Sequence, residues 1–132
     1  MALTGQNERL KVNHGRIDAD HLRLVEMLNR LEDAVTSRRD PETCGRVLNE
    51  LIADTRAHFA REEALMTVQR YPSVEQHVRE HGKLMQELFE FKARFDAAAV
   101  TLAIARLKSF ERRLTRHIRA TDKALAADLP SD

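Results

Sequence analysis

His58-Phe59-Ala60-Arg61-Glu62-Glu63-Ala64-Leu65-Met66, followed after Tyr71 and Pro72 by His77-Val78-Arg79-Glu80-His81, is the stretch that decides how this chain folds. On an α-helix, residues four apart stand about 40° apart around the axis, so His58 with Glu62, and His77 with His81, form two pairs that each face one way. Each pair is a chelate for a metal ion. Between them, Pro72 disfavours helix at Tyr71, and Ser73 with Gln76 fits a capping box that starts another helix. Two antiparallel helices would then carry four ligand-type side chains at one level.

Working outward, the first pair belongs to a helix expected over 41–69. Asp40 is its N-cap, Pro41 takes the first helical position and Glu42 the first turn. Its inward positions are expected at Leu48, Leu51, Ile52, Thr55, His58, Glu62, Leu65 and Gln69. Upstream, Asp18 is a candidate cap for a helix over 18–37, whose stripe runs through His21, Leu24, Val25, Leu28, Leu31 and Val35. Downstream of the second pair, Val74, His77, His81, Leu84, Leu88, Phe91 and Phe95 repeat at alternating three and four. That is a bundle-core stripe with two histidines in it. Asp96 is read as the cap of a last helix, with Val100, Ala103, Leu107, Phe110, Leu114, His117, Ile118, Thr121 and Leu125 inward and an end before Pro130.

Four helices joined by short turns predict an all-α protein, an antiparallel up-down-up-down four-helix bundle over 17–129 with an irregular N-terminal arm over 1–16. The topology tests the site. His21 opens the first helix, His58 and Glu62 close the second, His77 and His81 open the third, and His117 and Asp122 close the fourth. In an up-down bundle all seven meet at one end. One spacing resists this: His117 and Asp122 are five apart, about 140° on an ideal helix. Asp122 must reach back across the face, or the helix must loosen there.

Composition removes several functional classes. With 22 Lys and Arg against 21 Asp and Glu, the net charge of +1 gives no argument for a nucleic-acid or membrane partner. No apolar run approaches the roughly 20 residues of a membrane span, and the polar stretch Met1 to Lys11 lacks a signal-peptide core, so a cytoplasmic location is expected. Cys44 is the only cysteine, which excludes an internal disulfide and cysteine-rich metal motifs. The expected assembly is a monomer or weak homodimer.

Five imidazoles and two carboxylates inside a bundle would be costly without partners, at about 1–3 kcal/mol for each unsatisfied group. Metal ions remove that cost. Two six-coordinate ions with both carboxylates and one solvent oxygen bridging would leave one position open for a small ligand. Imidazole with carboxylate and no thiolate suits iron, although the residue types also accept manganese, cobalt or zinc.

These residues resemble a known family, the hemerythrins, and especially the single-domain bacterial members. The resemblance rests on Ile17-Asp18-x-x-His21-x-x-Leu24, His58-Phe59-x-x-Glu62-Glu63-x-x-Met66, His77-x-x-x-His81 and His117-Ile118-x-x-x-Asp122. It implies a non-heme diiron centre, oxo- or hydroxo-bridged, with His77, His81 and His117 on one iron, His21 and His58 on the other, and Glu62 and Asp122 bridging. It also implies reversible O2 binding in a dry pocket to which Phe59, Leu114 and Ile118 correspond. Ferritin-like diiron enzymes use more carboxylates and a Glu-x-x-His pair, so an oxygen binder is favoured over an oxidase or peroxidase, or over an iron- or nitric-oxide-responsive module. Three departures bear on pocket sealing: Arg113 stands where an aromatic residue is common, the N-terminal arm lacks the tryptophan common in bacterial members, and Asp20 stands where glutamine is frequent.

Other residues receive blander readings. His14 is expected to be a solvent-exposed arm histidine, the alternative being a place over the open iron position. Glu63 points about 100° from Glu62 and is read as surface. Met27, Leu65 and Met66 are core, Tyr71 belongs to a turn, and Arg112, Arg116, Arg119 and Lys123 form a solvated basic stripe.

Overall fold

The computed structural model describes residues 10–12, 14–38 and 40–130. Its elements are α1 (Gly15–Thr36), α2 (Pro41–Gln69), α3 (Val74–Asp96), α4 (Val100–Arg116), a π-helical turn (His117–Asp122) and α5 (Lys123–Asp128). The last three form one continuous rod, so the molecule is an antiparallel up-down-up-down four-helix bundle. Among the described residues there is no strand, and no helix is long and apolar enough to cross a membrane.

Local chemistry sets several boundaries. Asp40 caps α2 through Thr43 N at 2.9 Å, with Pro41 in the first turn as its missing N–H allows. α1 starts three residues before the expected position because His14, not Asp18, is its N-cap. The His14 Nδ1 accepts from Ile17 N, while Asp18 accepts from Val12 N at 2.8 Å. Asp18 therefore ties the arm to the first turn. Leu10 and Val12 are buried in the core, so this part of the arm is packed; residues 1–9 and 13 of the expected arm lie outside the described residues. Ser73 makes no side-chain cap bond, and the expected capping box does not form. Nor does Asp96 cap α4. It ends α3 and pairs with Lys92 at 2.9 Å, and the chain turns after it through Ala98.

The core runs the length of the bundle, from Leu31, Leu48, Phe91 and Phe110 to Leu114, Ile118 and Met66 at the site end. Near the end of α2 the inward face follows Phe59, Glu62 and Met66, leaving Leu65 half-buried and Gln69 exposed. A straight helix turns about 100° per residue, so a stripe extended in steps of three and four drifts off the core, and here Met66 is the residue that stays on it. Val100, expected inward, is exposed at the start of α4. One polar contact interrupts the α1–α4 seam. Glu111 is buried there, and burial together with the neighbouring Glu32 carboxyl pushes its pKa up to about 8.

Candidate metal centre

Every helix of the bundle contributes to one buried cluster at the expected end. Glu62, His77, His81, His117 and Asp122 form one group, and His21, His58, Glu62 and Asp122 form another; within each, the potential ligand atoms lie within 4.8 Å of one another. All seven side chains are at most 3% exposed. The five-residue step from His117 to Asp122 is accommodated by the π turn. Its wider i→i+5 geometry brings both residues onto one face, so that Asp122 Oδ1 stands 2.9 Å from His117 Nε2. Of the two alternatives left by the spacing, the helix loosens.

The carboxylate oxygens divide between the groups. Glu62 Oε1 lies 3.1 Å from His77 Nε2 and 3.0 Å from His81 Nε2, while its Oε2 lies 3.0 Å from His58 Nε2 and 3.7 Å from His21 Nε2. Asp122 Oδ1 lies 2.9 Å from both His77 Nε2 and His117 Nε2, and its Oδ2 lies 2.8 Å from His21 Nε2. Each carboxylate thus presents one oxygen to each group.

This geometry fits metal ions. Nitrogen and oxygen donors about 2.1 Å from a shared ion and at right angles to each other stand about 3 Å apart, close to the separations here. His58 Nε2, His117 Nε2, Glu62 Oε2 and Asp122 Oδ1 are buried with no hydrogen-bond partner among the described residues, although each has an opposite-type atom near 3 Å. Such orphaned atoms, aimed at shared points, are what a cation would satisfy. Charges respond to the same crowding. Burial alone would lower the pKa of His21 and His77, but the Asp122 and Glu62 carboxylates that face both rings outweigh it and raise both to about 9. Burial likewise opposes ionisation of Glu62 and Asp122, yet the surrounding imidazoles hold both carboxyls below their ordinary range.

The hemerythrin HHE cation-binding domain family matches residues 13–129, nearly the whole chain. The chain belongs to the hemerythrin family. Among relatives, the bacteriohemerythrin of Stenotrophomonas maltophilia (strain R551-3) is 35% identical over 126 residues, 96% of this chain and 81% of that protein. The bacteriohemerythrin of Pseudomonas aeruginosa (strain LESB58) is 36% identical over 81 residues, 61% of this chain and 52% of that protein. No solved structure matches.

Around this hemerythrin cluster stand three carboxylates that the sequence reading did not assign. The His58 Nδ1 is 3.0 Å from Asp20 Oδ2, the His81 Nδ1 is 2.8 Å from Glu63 Oε2, and the His117 Nδ1 is 2.8 Å from Glu80 Oε1. An Nδ1–H donated outward orients the ring and leaves Nε2 as the inward donor atom. Asp20 is itself gripped by Arg61 at 2.9 and 2.8 Å, and Glu80 also accepts from Thr121 Oγ1 at 2.7 Å. Burial opposes the ionised form of both, and these partners outweigh it, lowering their pKa values. Glu63 does point about 100° from Glu62, but towards α3 and His81 rather than solely into solvent. A sequence signal for all three existed: each is the immediate neighbour of a candidate ligand, as Asp20-His21, Glu62-Glu63 and Glu80-His81.

The expected pocket residues are buried. Phe59 stacks on the His81 ring at 3.9 Å between centroids and 7° between planes. Leu114 and Ile118, at 1% and 0% exposure, flank His117 in the sequence. Arg113 is on the outside, its Nε 3.1 Å from Glu87 Oε1, so this departure from the family pattern falls at the bundle surface beside Leu114. His14 is 6% exposed and lies outside both ligand groups, which corrects the solvent-exposed reading; its Nδ1 serves the start of α1.

Proposed function

We propose that this chain binds O2 reversibly at a two-iron centre held by His21, His58, Glu62, His77, His81, His117 and Asp122. The observation that carries the reading is the division of the Glu62 and Asp122 oxygens between two histidine groups, which suits a pair of ions spanned by both carboxylates. His77, His81 and His117 with one oxygen of each carboxylate would hold one ion, and His21 and His58 with the other two oxygens would hold the second. The two-histidine side therefore retains more room for a small ligand. A pair of ferrous ions held by these seven residues would supply the two electrons that O2 takes up on binding and gives back on release.

The protein's own contribution is orientation and exclusion of water. Asp20, Glu63 and Glu80 hold three imidazoles from behind, so the donor atoms are aligned before any ion arrives. Phe59, Leu114 and Ile118 provide apolar bulk beside the cluster, which would exclude water from a small ligand bound there. The names of the bacterial relatives and the family's cation-binding description support the same reading.

An optical cycle tests it. The protein is loaded anaerobically with ferrous iron, O2 is admitted and then removed, and the visible charge-transfer band is followed. A band that disappears with O2 and returns on re-addition is expected. One-way conversion to ferric protein with peroxide in solution would overturn reversible binding in favour of an oxidase, and failure to take up two irons per chain would overturn the centre itself.

A further inference from the structure

A cleft of about 430 Å³ opens on the bundle surface between α3 and the end of α4. Three cations border it: Lys83 from α3 and Arg113 and Arg116 from α4. Lys83 and Arg116 have no ion-pair partner among the described residues. Arg113 pairs through its Nε with Glu87 and also lines the cleft. The acidic residue of the lining is Glu80, and its Oε1 accepts from both His117 Nδ1 and Thr121 Oγ1. The charge offered to a ligand is thus positive, while Leu84 and Ala120 add apolar wall.

We propose that this cleft binds a phosphate ester of about mononucleotide size. Its phosphate would lie between Lys83, Arg113 and Arg116 and its body against Leu84 and Ala120. Guanidinium groups match phosphate oxygens in pairs, and a lysine adds a point charge, so three cations bordering one cleft suit a dianion better than a monoanion. The volume is larger than a bare oxyanion needs and falls in the range of small-molecule sites, roughly 300–1,000 Å³. The inference does not rest on the iron reading, because none of the three cations belongs to the metal cluster.

The test is a titration of the full chain with adenosine 5′-monophosphate and, separately, flavin mononucleotide, followed by backbone amide NMR, with inorganic phosphate and adenosine as controls. At least one nucleotide should give saturable shifts confined to 76–84 and 113–121, at least about tenfold tighter than inorganic phosphate, with no shifts from adenosine. The double variant Lys83→Gln/Arg116→Gln, altered only at exposed side chains, should keep its helical spectrum and lose about tenfold or more in affinity. Absence of saturation with both nucleotides, equal affinity for inorganic phosphate, or binding untouched in the double variant would overturn the proposal.

Discussion

At the scale of single residues, the cluster depends on pairs in which the neighbour of one candidate ligand serves the candidate ligand of another helix. Glu80 adjoins His81 but bonds His117 on the π turn, so it couples α3 to the rod that carries Asp122. Glu80→Gln keeps size and hydrogen bonding but removes the charge. It should weaken iron retention roughly 10- to 100-fold while leaving helicity unchanged, read as iron per chain against a competing chelator. Unaltered retention would make Glu80 a bystander. Glu111 invites a different measurement. Its folded pKa of about 8 exceeds the ordinary 4.5, so between those values the folded chain keeps a proton that the unfolded chain has released. Stability from this group is fully present below about 4.5 and is lost as pH rises through about 8. Burial and Glu32 raise this pKa and Lys108 lowers it. With a neutral amide, Glu111→Gln should gain melting temperature over the parent progressively from pH 5 to 8; a difference independent of pH would contradict the buried carboxyl pair.

At the scale of elements, helix ends were the least legible part of the sequence. α1, α2 and α3 are each followed by a non-glycine residue at positive φ: Arg38 at 55°, Arg70 at 51° and Ala98 at 60°. Arg70 and Ala98 close Schellman-type turns, with Tyr71 N bonding Met66 O and Ala99 N bonding Arg94 O. No glycine marks these positions, so the usual stop signal is missing. Left-handed backbone costs a residue with a Cβ about 1–2 kcal/mol, partly offset in glycine by its larger entropy loss on folding. Ala98→Gly should therefore stabilise the bundle by about 1 kcal/mol, measured as a shift in denaturant midpoint at constant slope. A loss of stability would show that this turn carries no such strain. The π turn was half legible: the five-residue step from His117 to Asp122 demanded either a reaching side chain or a loosened helix, and backbone geometry alone decides between them.

At the scale of the whole molecule, the metal-free bundle carries a buried cluster of charged and orphaned groups at one end, opposed by an apolar core over the rest of its length. Iron bound to the folded state alone, at about 100 times its dissociation constant, would add about 2.7 kcal/mol. For a domain of this size that is a rise of roughly 10 °C in melting temperature, to be checked by thermal unfolding of the metal-free and iron-loaded protein. No rise would mean that the cluster does not hold iron in the folded state. The four helices, their antiparallel order and the gathering of seven candidate ligands at one end followed from the sequence alone. Those features depend on the helical period and on short connections, which are local. Tertiary structure decided how the Glu62 and Asp122 oxygens divide, which carboxylates stand behind the imidazoles, and that Lys83 and Arg116 face one cleft. These depend on the register and rotation of one helix against the next. Packing of non-local side chains sets that register to a fraction of an ångström, and residue spacing along one chain does not encode it.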